Sequence, residues 1–127
     1  MTYPNLNYKQ MDYTEPPIPN LSLIFCTFAF MFDVTLIKDT TENGLRRTTF
    51  QTCALVCSEL IDIETAGNTI RSVRFTAGCN GNLQGIGALV AGMKISEAIT
   101  RLEGIQCNGR GTSCPDQLAR ALKQLTA

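Results

Sequence analysis

From Arg46 onward the apolar residues follow two periods in succession, and the single switch between them limits what the chain can fold into. Residues 48–56 are rich in Thr, Phe, Leu and Val and read as a strand. Residues 58–64 alternate, with Ile61 and Ile63 on one face and Asp62 and Glu64 on the other. Ala66-Gly67-Asn68 supplies hairpin turn residues, and residues 70–77 alternate again with Val73 and Phe75 facing in. The period then becomes helical. Leu83, Ile86, Val90 and Met93 form one stripe, with Asn80 or Asn82 as its cap and Gly92 at its end. Ile95, Ala98, Ile99 and Leu102 form a second stripe, capped by Ser96; Leu118, Ala121, Leu122 and Leu125 form a third. Strands followed by helices predict an α+β domain with a three-stranded antiparallel sheet and three helices, not a parallel α/β sheet.

Residues 1–45 differ in character. Four of the five prolines lie within the first twenty residues, which show no period and read as an irregular arm. Two basic residues against five acidic ones leave 1–45 at −3, whereas nine against six leave 46–127 at +3. The boundary is therefore set at 45/46, with an irregular and apolar extension before it. Residues 21–32 are apolar but too short to span a membrane, which takes about 20 apolar residues. Acidic Asp12 and Glu15 and the lack of a small-x-small cleavage site make them a poor secretion signal. They read as a strand or a segment that covers the following domain, in a cytoplasmic protein.

The 127 residues contain no histidine. That removes Ser-His-Asp and Cys-His catalysis, His-containing zinc sites and His-ligated haem. Eleven basic residues balance eleven acidic ones, which argues against nucleic-acid binding by bulk charge. Six cysteines remain: Cys26, Cys53, Cys57, Cys79, Cys107 and Cys114. In a reducing compartment structural disulfides are disfavoured. Free cysteine commonly behaves as a small buried hydrophobe, the reading that suits Cys26 and Cys53. Cys79, Cys107 and Cys114 sit instead among Gly78, Asn80, Gly81, Asn108, Gly109 and Gly111, residues that build turns. Cys57, Cys79, Cys107 and Cys114 all fall at junctions between elements and can converge at one end of a small domain. Cys114, in a first helical turn, faces unpaired N–H groups that favour thiolate. Gly85 and Gly87, inside the first helix, open space for a bound group or allow tight packing.

The run Thr112-Ser113-Cys114-Pro115-Asp116-Gln117-Leu118-Ala119 resembles the signature of the TSCPD domain. Residues 78–85 and 104–107 resemble the two other blocks of its small stand-alone branch, and the likeness covers about residues 47–127. The resemblance implies four metal ligands, Cys57, Cys79, Cys107 and Cys114. Asn80, Ser113, Asp116 and Arg110 are read as supporting residues, Arg110 because it lies beside the cysteine loop and can hold thiolate charge in check. Cys53 is the alternative to Cys57 as fourth ligand. Because the domain is otherwise met near the C-terminus of cobalamin-dependent ribonucleotide reductases, the resemblance also implies a link to deoxyribonucleotide synthesis. A looser architectural likeness is to NifU/IscU-type iron–sulfur scaffolds, whose three cysteines are positioned like Cys79, Cys107 and Cys114.

Three functions follow as expectations. One is a structural Zn²⁺ held by four thiolates, in a closed site without an open coordination position. Another is an iron–sulfur cluster carried on the same ligands. The third is a dithiol redox partner that cycles Cys107 and Cys114 to re-reduce a reductase. A complete reductase needs a large barrel and a nucleotide pocket, so the chain reads as an accessory module and not as an enzyme by itself. Its expected partner is ribonucleotide reductase or another redox protein. No phosphate loop is present, since Gly85-Ile86-Gly87 lacks a following glycine at the required spacing.

Overall fold

The computed structural model describes residues 31–126. The expectations for residues 1–30, Cys26 included, lie outside them. Four strands, β1 (Thr35–Glu42), β2 (Leu45–Gln51), β3 (Leu60–Ala66) and β4 (Thr69–Thr76), form one antiparallel meander in the order β1-β2-β3-β4. Three helices follow: α1 (Asn80–Val90), α2 (Ile95–Leu102) and α3 (Cys114–Thr126). The α+β class, the antiparallel sheet and the three helices are as expected.

The sheet has one strand more than expected. β1 lies in the stretch assigned to the irregular extension, so the folded unit begins ahead of the boundary drawn at 45/46. Its residues are exposed throughout, so it lacks the half-buried alternation that marks β3. What makes it a strand is the turn. Glu42 pairs with Leu45 around Asn43-Gly44, whose φ values of 52° and 77° are those of a two-residue type I′ hairpin. β2 is also displaced from the expected 48–56, ending at Gln51. There the Thr52 N–H donates to Glu59 O (3.0 Å), and the Thr52 hydroxyl donates to Ser58 O (2.5 Å). These bonds close residues 53–58 into a loop.

Strand register explains which residues are buried. Phe50, Ile61 and Phe75 stand in one cross-strand row and Thr48, Ile63 and Val73 in the next, all on the helix-covered face. Strict alternation would place Ile70 opposite to Val73. A bulge at Arg71, where the β3–β4 register shifts, turns both inward. The opposite face is polar, with Arg47 paired to Glu64 and the Thr49 hydroxyl donating to Asp62. The helices bring Val90, Ile95, Ala98, Leu118, Ala121 and Leu122 onto the apolar face. Fully burying each large apolar side chain contributes about 1.5–3 kcal/mol.

The two helical glycines have different surroundings. A Cβ on Gly87 would lie 2.5 Å from Val73 O, so Gly87 lets α1 approach β4 closely, whereas Gly85 faces open space. Gly92 takes φ +86° after the last turn of α1, and its N–H donates to Ile70 O at 2.8 Å. The expected side-chain caps of the first two helices are not formed. The N-cap positions are Cys79 and Lys94, without side-chain cap bonds, instead of Asn80 or Asn82 and Ser96. Among the described residues no helix is long and apolar enough to cross a membrane.

Candidate functional site

The start of α3 anchors three segments of chain. Ser113 caps it: its Oγ accepts the Asp116 N–H (3.1 Å) and donates to Ile105 O (2.6 Å). Asp116 is buried, and its carboxylate accepts from the Thr112 hydroxyl (2.6 Å), the Gly104 N–H (2.8 Å) and Arg120 Nε (2.8 Å). Burial opposes ionisation of Asp116, but Arg120, Thr112 and the Gly104 N–H outweigh it and hold the carboxyl below its ordinary value. Gln117, with no exposed surface, spans farther. Its Nε2 donates to Phe32 O and to Thr112 Oγ1, and its Oε1 accepts the Cys53 N–H at 2.9 Å. The loop after β2, the loop before α3 and the segment entering β1 are thereby tied to one helical turn.

That turn also carries a thiol. Cys114 is buried, and its Sγ lies 3.7 Å from Cys57 Sγ and 3.2 Å from Ser58 Oγ. Cys57, at the end of the 52–59 loop, is exposed. Burial pushes the Cys114 thiol up; the Ser58 hydroxyl and backbone N–H pull it down, and Cys57 pushes it up further. The net effect is upward, so the expected preference for thiolate at the helix start is outweighed by loss of solvent. Of the two candidates for fourth ligand, it is Cys57 whose sulfur lies beside Cys114. Cys53 uses its backbone N–H to hold Gln117.

Cys79 and Cys107 are both exposed and lie on loops. Cys79 follows Gly78, whose φ of +89° only glycine adopts readily. A Cβ there would lie 2.8 Å from Leu83 Cδ1 and 3.2 Å from Cys57 Sγ. The chain leading into Cys79 thus packs directly against the Cys57 sulfur. Cys107 opens a tight turn over Asn108 and Gly109, both at positive φ, with the Arg110 N–H donating to Cys107 O (3.2 Å). The Cys107 N–H donates to Thr112 O at 3.1 Å, two residues from Cys114. Arg110 Nη1 donates to Leu55 O (3.3 Å), bridging this turn to the loop that carries Cys57. Asn80 is exposed, its Oδ1 accepting from Gln84 Nε2 at 2.7 Å.

The expected convergence of four thiols is thus reduced to one sulfur pair. Among the described residues no group of three or more His, Cys, Asp or Glu side chains is arranged to hold a metal ion. The spacing of the pair is compatible with two thiolates sharing one metal, as it is with plain sulfur contact. Thiolates bound tetrahedrally at about 2.3 Å lie about 3.8 Å from each other, which is the Cys57–Cys114 spacing. Sequence reasoning missed Ser58, Thr112 and Gln117. Ser58 follows Cys57 directly, but only the fold sets it against Cys114.

No curated protein and no solved structure matches the chain at a significant level, so the likeness to NifU/IscU-type scaffolds gains no support. The family model of the TSCPD domain matches residues 33–126. This span takes in β1 and holds the Cys57–Cys114 pair and the polar network at the start of α3: the chain belongs to the TSCPD domain family.

Proposed function

We propose that the chain is a cysteine-ligated metal-binding module, an accessory to ribonucleotide reductase and deoxyribonucleotide synthesis, with Cys57, Cys79, Cys107 and Cys114 as ligands. The observation that carries this reading is the 3.7 Å between Cys57 Sγ and Cys114 Sγ, the edge length of a tetrahedral four-thiolate site. Two features support the remaining ligands. The chain before Cys79 is packed on Cys57 Sγ through Gly78, and Cys107 is bonded through its backbone to Thr112. The link to a reductase rests on family membership alone.

A zinc ion in a site of this kind supplies structural cross-linking and no catalysis. The protein's own residues do the rest. Ser58 places a hydroxyl on the Cys114 sulfur, Gln117 holds the loop that carries Cys57 through the Cys53 N–H, and Arg110 ties that loop to the Cys107 turn. For a small domain whose core alone is marginal, metal binding on the order of 10 kcal/mol is a large contribution.

Titration of the reduced, metal-free chain with Co²⁺ tests the ligand set. A thiolate-to-cobalt charge-transfer band saturating at one equivalent is expected. It should weaken in Ser variants of Cys57, Cys79, Cys107 and Cys114 and be unaltered in Cys53→Ser. A band that needs Cys53, or survives without Cys79 and Cys107, contradicts the assignment.

A further inference from the structure

The sulfur pair has an asymmetry that metal binding does not require. Cys57 is exposed and Cys114 is 7% exposed, yet their sulfurs are 3.7 Å apart. A disulfide bond measures about 2.05 Å, so closing it takes an approach of under 2 Å. Cys57 sits in a loop of irregular structure, while Cys114 is fixed in the first turn of α3 with the Ser58 hydroxyl at 3.2 Å. The accessible sulfur of such a bond is therefore the one on the loop, and the shielded one lies in the helix.

We propose that in the metal-free chain Cys57 and Cys114 are an attacking and a resolving thiol that reduce a low-molecular-weight disulfide and close a disulfide between themselves. In the first step the Cys57 thiolate attacks one sulfur of the small disulfide. The S–S bond breaks, one small thiolate leaves and takes up the proton that Cys57 lost, and a mixed disulfide remains on Cys57. In the second step the Cys114 sulfur gives up its proton and attacks Cys57 Sγ, expelling the second small thiolate, which is protonated in turn. Two protein thiols are oxidised and one small disulfide is reduced to two thiols. Burial keeps large or bulky disulfides from Cys114, so attack starts at Cys57. The inference uses the sulfur pair alone and holds whether or not the chain binds a metal.

The test is to incubate the reduced, chelator-treated full-length chain with oxidised glutathione and map its disulfides by mass spectrometry. A Cys57–Cys114 link should dominate. Cys114→Ser should accumulate a lasting glutathione adduct on Cys57. Cys57→Ser should lose the link and leave Cys114 at least tenfold slower to modify than Cys57 is in the parent. Links chiefly between Cys79 and Cys107, or a Cys114→Ser chain left unmodified at Cys57, overturn the proposal. The parent's map decides even if a variant fails to fold. A parallel sample with one equivalent of Zn²⁺ separates the two readings. A linked metal-free chain that zinc does not protect counts against the metal site and for this pair. A chain that binds zinc but forms no Cys57–Cys114 link without it counts the other way.

Discussion

Gln117 shows best how single residues hold this domain together. Both ends of its amide are used, on groups 64 and 85 residues away in the sequence. Truncation to Ala leaves the Cys53 N–H and the Phe32 carbonyl without their partner, each a loss of about 1–3 kcal/mol if it stays buried. Gln117→Ala should therefore lower the urea midpoint markedly with little change in its slope. An unchanged midpoint would show that solvent replaces the amide. Asp116 gives a pH signature. Because its carboxyl is held below the ordinary value, its contribution to stability is complete above the unfolded carboxylate pKa of about 3.9 and is lost as pH falls through the lower folded value. Asp116→Asn should be less stable than the parent at pH 6, and the gap should narrow toward pH 3. A constant gap would contradict the ionised, triply bonded carboxylate. The signature run was legible as a family mark. Its polar members were legible only as neighbours of a thiol, because their partners, Phe32, Cys53 and Gly104, are brought in by the fold.

Among the elements, the two glycines of α1 offer a paired test. In an exposed helix interior, Gly→Ala gains about 1 kcal/mol. At Gly85, which faces open space, Gly85→Ala should raise the thermal midpoint. At Gly87 the added carbon meets Val73 O at 2.5 Å, and a backbone carbonyl cannot swing away as a side-chain end can. The steric cost then exceeds the propensity gain, and Gly87→Ala should lower the midpoint. Equal shifts for both would mean that α1 moves away from β4 without penalty. Gly78→Ala combines positive φ with a close approach to Leu83 and Cys57 Sγ. It should destabilise the domain and weaken Co²⁺ binding together, while the exposed Gly81→Ala should leave binding intact. Periodicity revealed β3, β4 and the three helices. It did not reveal β1, whose sequence has no apolar alternation. The Asn43-Gly44 pair was the available signal for that hairpin. The bulge at Arg71 was legible in retrospect from Ile70 and Val73, which break alternation while both are apolar.

For the molecule as a whole, one face of a four-stranded sheet is covered by helices, and the connecting loops and the start of α3 carry the thiols of the described residues. The order of strands and helices was readable from the change of period, since each element keeps one apolar face. The meeting of Cys57 with Cys114 was readable only as a possibility of four thiols at junctions. Which two meet depends on the 52–59 loop, which Thr52 closes and Gln117 anchors, and neither bond has a local pattern in the sequence. The proposed link to deoxyribonucleotide synthesis rests on the family resemblance alone, and the proposed metal on the spacing of one sulfur pair. The measurement that tests the central claim most directly is elemental analysis of the chain purified without oxygen or added metal. About one zinc per chain, lost in Cys114→Ser but kept in Cys53→Ser, is the predicted result. Iron with matching sulfide would move the same ligands to a cluster-carrying role. A chain that purifies without metal and takes up none would contradict the account.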